Sequence, residues 1–181
     1  MYRFVKTNIV KFRMTLFLIL LIPACLALYY FYPSPKLPPG SVIDRLVVYK
    51  SKRIMEAWSG NTLLKTYTVS LGKNPVGHKE FESDCKTPEG VYTINERNPN
   101  SAYHKNLGVS YPNDKDITHA ASIGKPPGGH IKIHGLHNGR GYIGKFHRWK
   151  DWTAGCIAVT NAEVDELYSA VKENAVIEIL P

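Results

Sequence analysis

Two short alternating runs between Gly129 and Thr160 restrict this chain more than any other feature. In the first, Ile131 and Ile133 fall on one side of an extended segment, and His130, Lys132 and His134 fall on the other. In the second, Ile157 and Val159 oppose Cys156 and Ala158. Each run adjoins a glycine pair, His134-Gly135 after the first and Gly155-Cys156 before the second. If both are strands of one sheet with their aliphatic sides in the core, His134 and Cys156 emerge together on the open face. That pairing has chemical meaning. A free thiol is mostly protonated at neutral pH, and an adjacent imidazole can take its proton and hold the thiolate.

The chain has 181 residues, room for one domain and an appendage. Its hydrophobic content of 44% and charged content of 21% are those of a foldable globular chain. The formal charge of +8 is unevenly placed. Residues 1–40 carry Arg3, Lys6, Lys11, Arg13 and Lys36 and no acid, while residues 41–181 set 18 basic against 15 acidic side chains. A nucleic-acid partner is therefore not expected, since its basic stripe would lie on the folded domain.

The tail reads as an export element. Residues 1–13 form a basic N-terminus, and Met14–Tyr32 is a 19-residue run without charge. As a helix that run would be about 28 Å long, close to the hydrocarbon thickness of a bilayer. The charges before it predict a cytoplasmic N-terminus with the rest of the chain outside. An uncleaved single-pass anchor in the inner membrane is the expectation. A cleaved signal peptide near Cys25-Leu26-Ala27, or a lipoprotein at Cys25, is the alternative, and every version exports the domain. Residues 33–41 hold four prolines and read as a stiff spacer.

The domain at 42–181 reads as mostly β (α+β). Strands are expected at Ser41–Lys50, Ile54–Trp58, Thr62–Ser70, Gly90–Asn95 and Ala175–Leu180, with turns at Ser51-Lys52 and Ser59–Asn61. Gly72–Pro88 reads as loop, and Glu96–Lys125, lacking a clear period, as long loops walling a cleft. One helix is expected, after a capping box at Thr160–Glu163, with Val164, Leu167, Tyr168 and Val171 at helical spacing. No metal or other cofactor is expected. His130 and His134 on one strand face stand about 13 Å apart, too far to share an ion. Cys85 and Cys156 could form a disulfide in an exported domain, and this stays open beside the reading of Cys156 as a nucleophile.

The His-Gly and Thr-Ala-Gly-Cys pairs resemble the signature of the L,D-transpeptidase catalytic domain, the YkuD-like domain. Val69–Gly72, Lys86–Ile94 and Leu107–Asn113 look like other blocks of that domain, in the same order. The resemblance implies a YkuD-like β-sandwich and a cysteine acyl transfer on peptidoglycan stem peptides in cell wall remodelling. It implies Cys156 as nucleophile and His134 as base, with the Gly135 carbonyl fixing the imidazole tautomer. Backbone N–H groups of Gly155 and Cys156 would stabilise the oxyanion. An amine acceptor, which could be a wall-linked protein, gives a cross-link. Water gives an L,D-carboxypeptidase or amidase, and a wall-binding module without turnover is the competing class.

Many members carry His before the Gly-Cys and Arg two residues after the Cys; this chain has Ala154 and Ala158. The basic insert between the motifs is expected to supply the missing cation. Arg148 is the first candidate for a substrate carboxylate and Arg140 the second. His104 and Tyr111, flanking the Leu107–Asn113 block, are candidates for lining substrate.

Overall fold

Turn chemistry sets the opening hairpins. A computed structural model describes residues 2–181, with side chains from Met14 onward except at position 16. Strands β1 (Ile43–Tyr49), β2 (Ile54–Ser59) and β3 (Thr62–Thr68) pair antiparallel across two tight turns. Arg53 (φ 55°) and Gly60 (φ 54°) supply the left-handed backbone that such turns require. The chain continues through β4 (Gly90–Ser101), β5 (His104–Val109), helix α2 (Asp114–Ser122) and β6 (Lys132–His134). A 3-10 segment at Gly141–Trp149, β7 (Ile157–Ala158), α3 (Asn161–Ala170) and β8 (Val171–Leu180) complete it.

All eight strands belong to one sheet, in the order β3-β2-β1-β8-β4-β5-β6-β7. The expected sandwich is thus a single sheet curled on itself. Its two ends meet: just past β3, Ser70 N–H donates to Ala158 O at 3.0 Å and Ala158 N–H donates back to Ser70 O at 2.8 Å. Closure removes the open edges a flat sheet would expose. The interior is filled by Leu46, Val48, Met55, Tyr67, Ile177 and their neighbours, nearly all fully buried. Leu37, within the proline-rich stretch, packs against this core.

Two expectations fail between residues 96 and 125. β4 runs to Ser101 and pairs with β5, and α2 stands where only loop was expected. Helix α2 starts on an Asn113–Asp116 capping box, with Asn113 Oδ1 accepting from the Asp116 N–H at 3.1 Å and Asp116 Oδ2 from the Asn113 N–H at 2.9 Å. It spans nine residues and buries only Asp116 and Ala120, so it presents few core positions. The expected helix, α3, has Thr160 as its N-cap and Glu163 closing the box.

The loop between β3 and β4 is held by buried lysines. Lys50 Nζ donates to Gly77 O (2.6 Å), Thr87 O (2.8 Å) and Glu89 Oε1 (2.8 Å), and Lys79 pairs with Asp84 at 2.7 Å. These bonds fix the loop backbone beside the Gly-Cys turn.

Residues 1–34 and 35–181 are separate compact units. The first is helix α1 (Tyr2–Phe31), which contains Pro23 and exposes Phe17, Leu20, Leu28 and Phe31. The side chains of the basic segment at 1–13, and position 16 of the expected span, lie outside the described residues. Among the described residues, no helix is long and apolar enough to cross a membrane.

Candidate active site

Alternation in β6 and β7 places the chemistry. Ile131, Ile133, Ile157 and Val159 are all buried, at most 2% exposed. Each such side chain contributes about 1.5–3 kcal/mol by burial, so a one-residue slip that exposed all four would cost far more than it could recover. β6 and β7 pair in parallel, Ile133 opposite Ile157 and His134 opposite Ala158. On the other face His130, Lys132, His134 and Cys156 line a single cavity of about 390 Å³. Tyr103, Trp152 and Lys73 complete its wall, and none of its lining residues is acidic.

His134 is fixed in orientation. Its Nδ1 lies 2.7 Å from Gly135 O, an atom that can only accept, so Nδ1 carries the proton and Nε2 keeps the lone pair. Tyr103 packs on the imidazole with ring centroids 4.6 Å apart, and Trp152 meets it edge-on at 5.6 Å. Burial pushes the imidazole pKa down, and the Gly135 bond opposes this only partly. Gly135 itself has no room for a side chain. A Cβ there would sit 2.7 Å from Asn161 Oδ1 and 3.1 Å from the His104 Cβ.

The Cys156 thiol donates to His130 O at 3.5 Å. Burial pushes its pKa up, against the pull of the Lys132 N–H and of the Lys132 and Lys79 charges. Both shifts favour the neutral forms, thiol and imidazole. No disulfide forms: Cys85 and Cys156 are free, and the Cys85 thiol donates to Ser83 O at 3.7 Å. Among the described residues no cluster could hold a metal ion.

The Gly-Cys turn is built by Thr153. Its hydroxyl donates to Cys156 O at 2.7 Å and accepts from the Gly155 N–H at 3.1 Å. The Gly155 N–H is thereby occupied, which corrects its expected role as an oxyanion donor. Among the described residues no hydrogen bond engages the Cys156 N–H. Gly155 adopts φ 135°, and a Cβ there would meet Lys86 O at 2.7 Å, so glycine is required by both conformation and space.

The expected substrate residues are mostly elsewhere. Arg148 does not face the cavity: its Nη2 pairs with Glu163 Oε1 at 2.6 Å, with the two side chains 12% and 7% exposed. A guanidinium buried beside a carboxylate is neutralised before any ligand arrives. His104 pairs with Asp165 at 3.0 Å. Tyr111 is a core residue, 5% exposed, donating to Pro127 O at 2.9 Å. Arg140 is exposed and lines a neighbouring pocket. Sequence reasoning missed Tyr103, Trp152 and Lys73 as cavity walls. Trp152 lies in the basic insert between the two motifs, and Tyr103 directly precedes His104.

The L,D-transpeptidase catalytic domain (YkuD) matches residues 43–179. Escherichia coli (strain K12) YafK, whose name assigns it provisionally to the L,D-transpeptidases, is 26% identical over 130 residues, covering 68% of this chain and 45% of YafK. The chain thus spans about half the length of the curated relatives it matches. Among solved structures, the helical cell shape determining protein Pgp2 from Campylobacter jejuni superposes with a TM-score of 0.58 at 23% identity, covering 77% of this chain and 48% of Pgp2. Bd1075 of Bdellovibrio bacteriovorus gives 0.53 at 24% identity, covering 80% and 54%. These two likenesses concern the fold. With three quarters of its length matched and His134 and Cys156 on one cavity wall, the chain belongs to the L,D-transpeptidase catalytic domain (YkuD) family.

Proposed function

We propose that the protein is a cysteine acyltransferase acting on peptidoglycan stem peptides. The observation that carries this reading is the shared cavity of His134 and Cys156, whose lining holds Lys73 and no carboxylate, its other lysine, Lys132, being paired with Glu96. Stem peptides end in a carboxylate, which such a cavity attracts.

The reaction begins from the neutral pair. The Cys156 thiol leaves His130 O and turns toward His134 Nε2, which takes its proton as Sγ attacks the peptide carbonyl carbon. The Nδ1–Gly135 bond then stabilises the imidazolium, the part a carboxylate plays in other triads. The Cys156 N–H is placed to stabilise the oxyanion. Collapse breaks the C–N bond, the terminal amino acid departs with the proton from His134, and a thioester remains. An amine of a neighbouring stem, or of a wall-linked protein, attacks the thioester and regenerates the thiol; water in its place releases the trimmed stem. Lys73, on the cavity wall, would hold the substrate carboxylate that Arg148 is not free to bind.

Anchoring by the N-terminal unit belongs to the same proposal. Met14–Tyr32 carries no charge and four basic residues precede it, which supports a single pass through the inner membrane with the domain facing the wall. A reporter fused after Pro181 that functions only in the cytoplasm would refute this topology.

Intact-protein mass spectrometry tests the chemistry. After incubation with a tetrapeptide stem or a carbapenem, the wild-type chain should gain one covalent adduct and Cys156→Ala none. His134→Ala should acylate far more slowly. An adduct of equal yield on Cys156→Ala would overturn the nucleophile assignment.

A further inference from the structure

One flank of the catalytic cavity takes no part in the chemistry at Cys156. In the sheet register Asn106 of β5 lies directly opposite His134 of β6, which puts their Cβ atoms about 5 Å apart on one face. Cys156 belongs to the strand on the other side of β6. Across the sheet the order is therefore Asn106, His134, Cys156, and all three line the same cavity. Asn106 is 8% exposed, and among the described residues its carboxamide has no hydrogen-bond partner: Oδ1 is sealed in the protein, and the Nδ2–H end is left to the cavity. A buried amide without a partner costs stability, and an apolar residue would pack the strand at less cost. Ser101, 7% exposed, lines the cavity too. Its Oγ accepts from the Tyr103 N–H at 3.0 Å, and its own proton goes to no acceptor among the described residues. Lys73 is held elsewhere on the wall, its N–H donating to Thr153 O at 3.0 Å beside the Gly-Cys turn.

We infer that Asn106, assisted by Ser101, determines specificity for the residue that leaves, its Nδ2–H donating to that residue's carboxyl group. This deepens the acyl-transfer reading and rests on it. The departing nitrogen takes its proton from His134, and the carboxyl carbon of the same residue is two bonds away, about 2.5 Å. Cys156 Sγ holds the acyl carbon on one flank of the imidazole, so the leaving residue extends toward the other, where Asn106 stands. A carboxylate is acceptor-only and can take both the amide and the hydroxyl donor. Lys73, on the Gly-Cys side, remains for a carboxylate on the acyl part of the stem. A site built to hydrogen-bond a substrate group discriminates strongly against an analogue that lacks it, because its buried donor is then left unpaired.

Acylation of the full-length chain by two substrates tests this. One is the tetrapeptide stem; the other is the tripeptide stem as its ethylamide, the same molecule with the terminal carboxyl replaced by hydrogen. Both leave the same thioester on Cys156, which intact-protein mass spectrometry follows. The ratio of the two rates is the readout, since the intrinsic difference between the two leaving amines cancels when variants are compared. In Asn106→Ala the tetrapeptide-to-ethylamide ratio should fall by about tenfold, through the tetrapeptide alone. Asn106→Asp, nearly isosteric, puts an acceptor in place of the donor and should lower the ratio at least as far. A ratio unchanged within about twofold in both variants, or both rates falling together, would overturn the assignment and leave Cys156 as nucleophile. No thioester from either substrate on the wild-type chain would overturn the acyl-transfer reading, and this inference with it.

Discussion

Arg148→Ala should act on stability and not on substrate affinity. Arg148 Nη2 and Glu163 Oε1 are 2.6 Å apart, with side chains only 12% and 7% exposed. Removing one partner of a buried pair strands the other charge and costs about 3–5 kcal/mol. Here Glu163 keeps two bonds through Oε2, from Thr160 N–H at 3.0 Å and Thr160 Oγ1–H at 2.7 Å. Those retained bonds moderate the loss to about 2–4 kcal/mol. For a domain of this size that is a fall in Tm of roughly 5–15 °C. Thermal melts followed by circular dichroism, with urea titrations at 25 °C, measure it. Combining Arg148→Ala with Glu163→Gln should recover part of the loss, because the double variant has no buried charge left unpaired. At temperatures where the variant is folded, KM should stay within about twofold of wild type. An unchanged Tm with a tenfold rise in KM would refute the reasoning and return Arg148 to the substrate.

Three further outcomes follow from the site. Burial, aided by the Arg148 charge, lowers the His147 pKa from 6.5 to about 4. A histidine with a depressed folded pKa contributes stability that is complete above pH 6.5 and lost as pH falls toward 4, here about 3 kcal/mol. His147→Asn should flatten that slope in pH-dependent unfolding, and an identical slope would contradict the assignment. Because burial raises the Cys156 thiol pKa, iodoacetamide labelling of Cys156 should show its midpoint above the ordinary cysteine value; a midpoint near pH 6 would mean a resting ion pair instead. Lys73→Gln should lower kcat/KM for stem peptide by about 10- to 100-fold, the worth of a charge-assisted bond, mainly through KM, and a change under about twofold would leave Lys73 without that role.

The sequence alone determined the parts of this protein that depend on period and on single backbone positions. Ile131 and Ile133 against His130, Lys132 and His134 could be read because a strand repeats every two residues, and the structure keeps those two sides apart, core and cavity. The α3 start could be read because a capping box satisfies local donors with local side chains. Glycine at 135 and 155 came from the motif, but only packing shows its cause, the closeness of Asn161 and of the Lys86 carbonyl. Helix α2 was missed because it is short and sends only Asp116 and Ala120 into the interior, too few core positions to stand out from the loops around it. Arg148 was misread for a different reason. Nearness to Cys156 in the chain says nothing about which carboxylate a long side chain meets, and Glu163 reaches it from the first turn of α3. The same holds for Tyr103, Trp152 and Lys73, brought to one cavity wall from separate loops, and for the Gly155 N–H that Thr153 occupies. Local pattern sets which face a residue takes. Only the closed sheet decides what that residue finds there, because the partners come from distant parts of the chain.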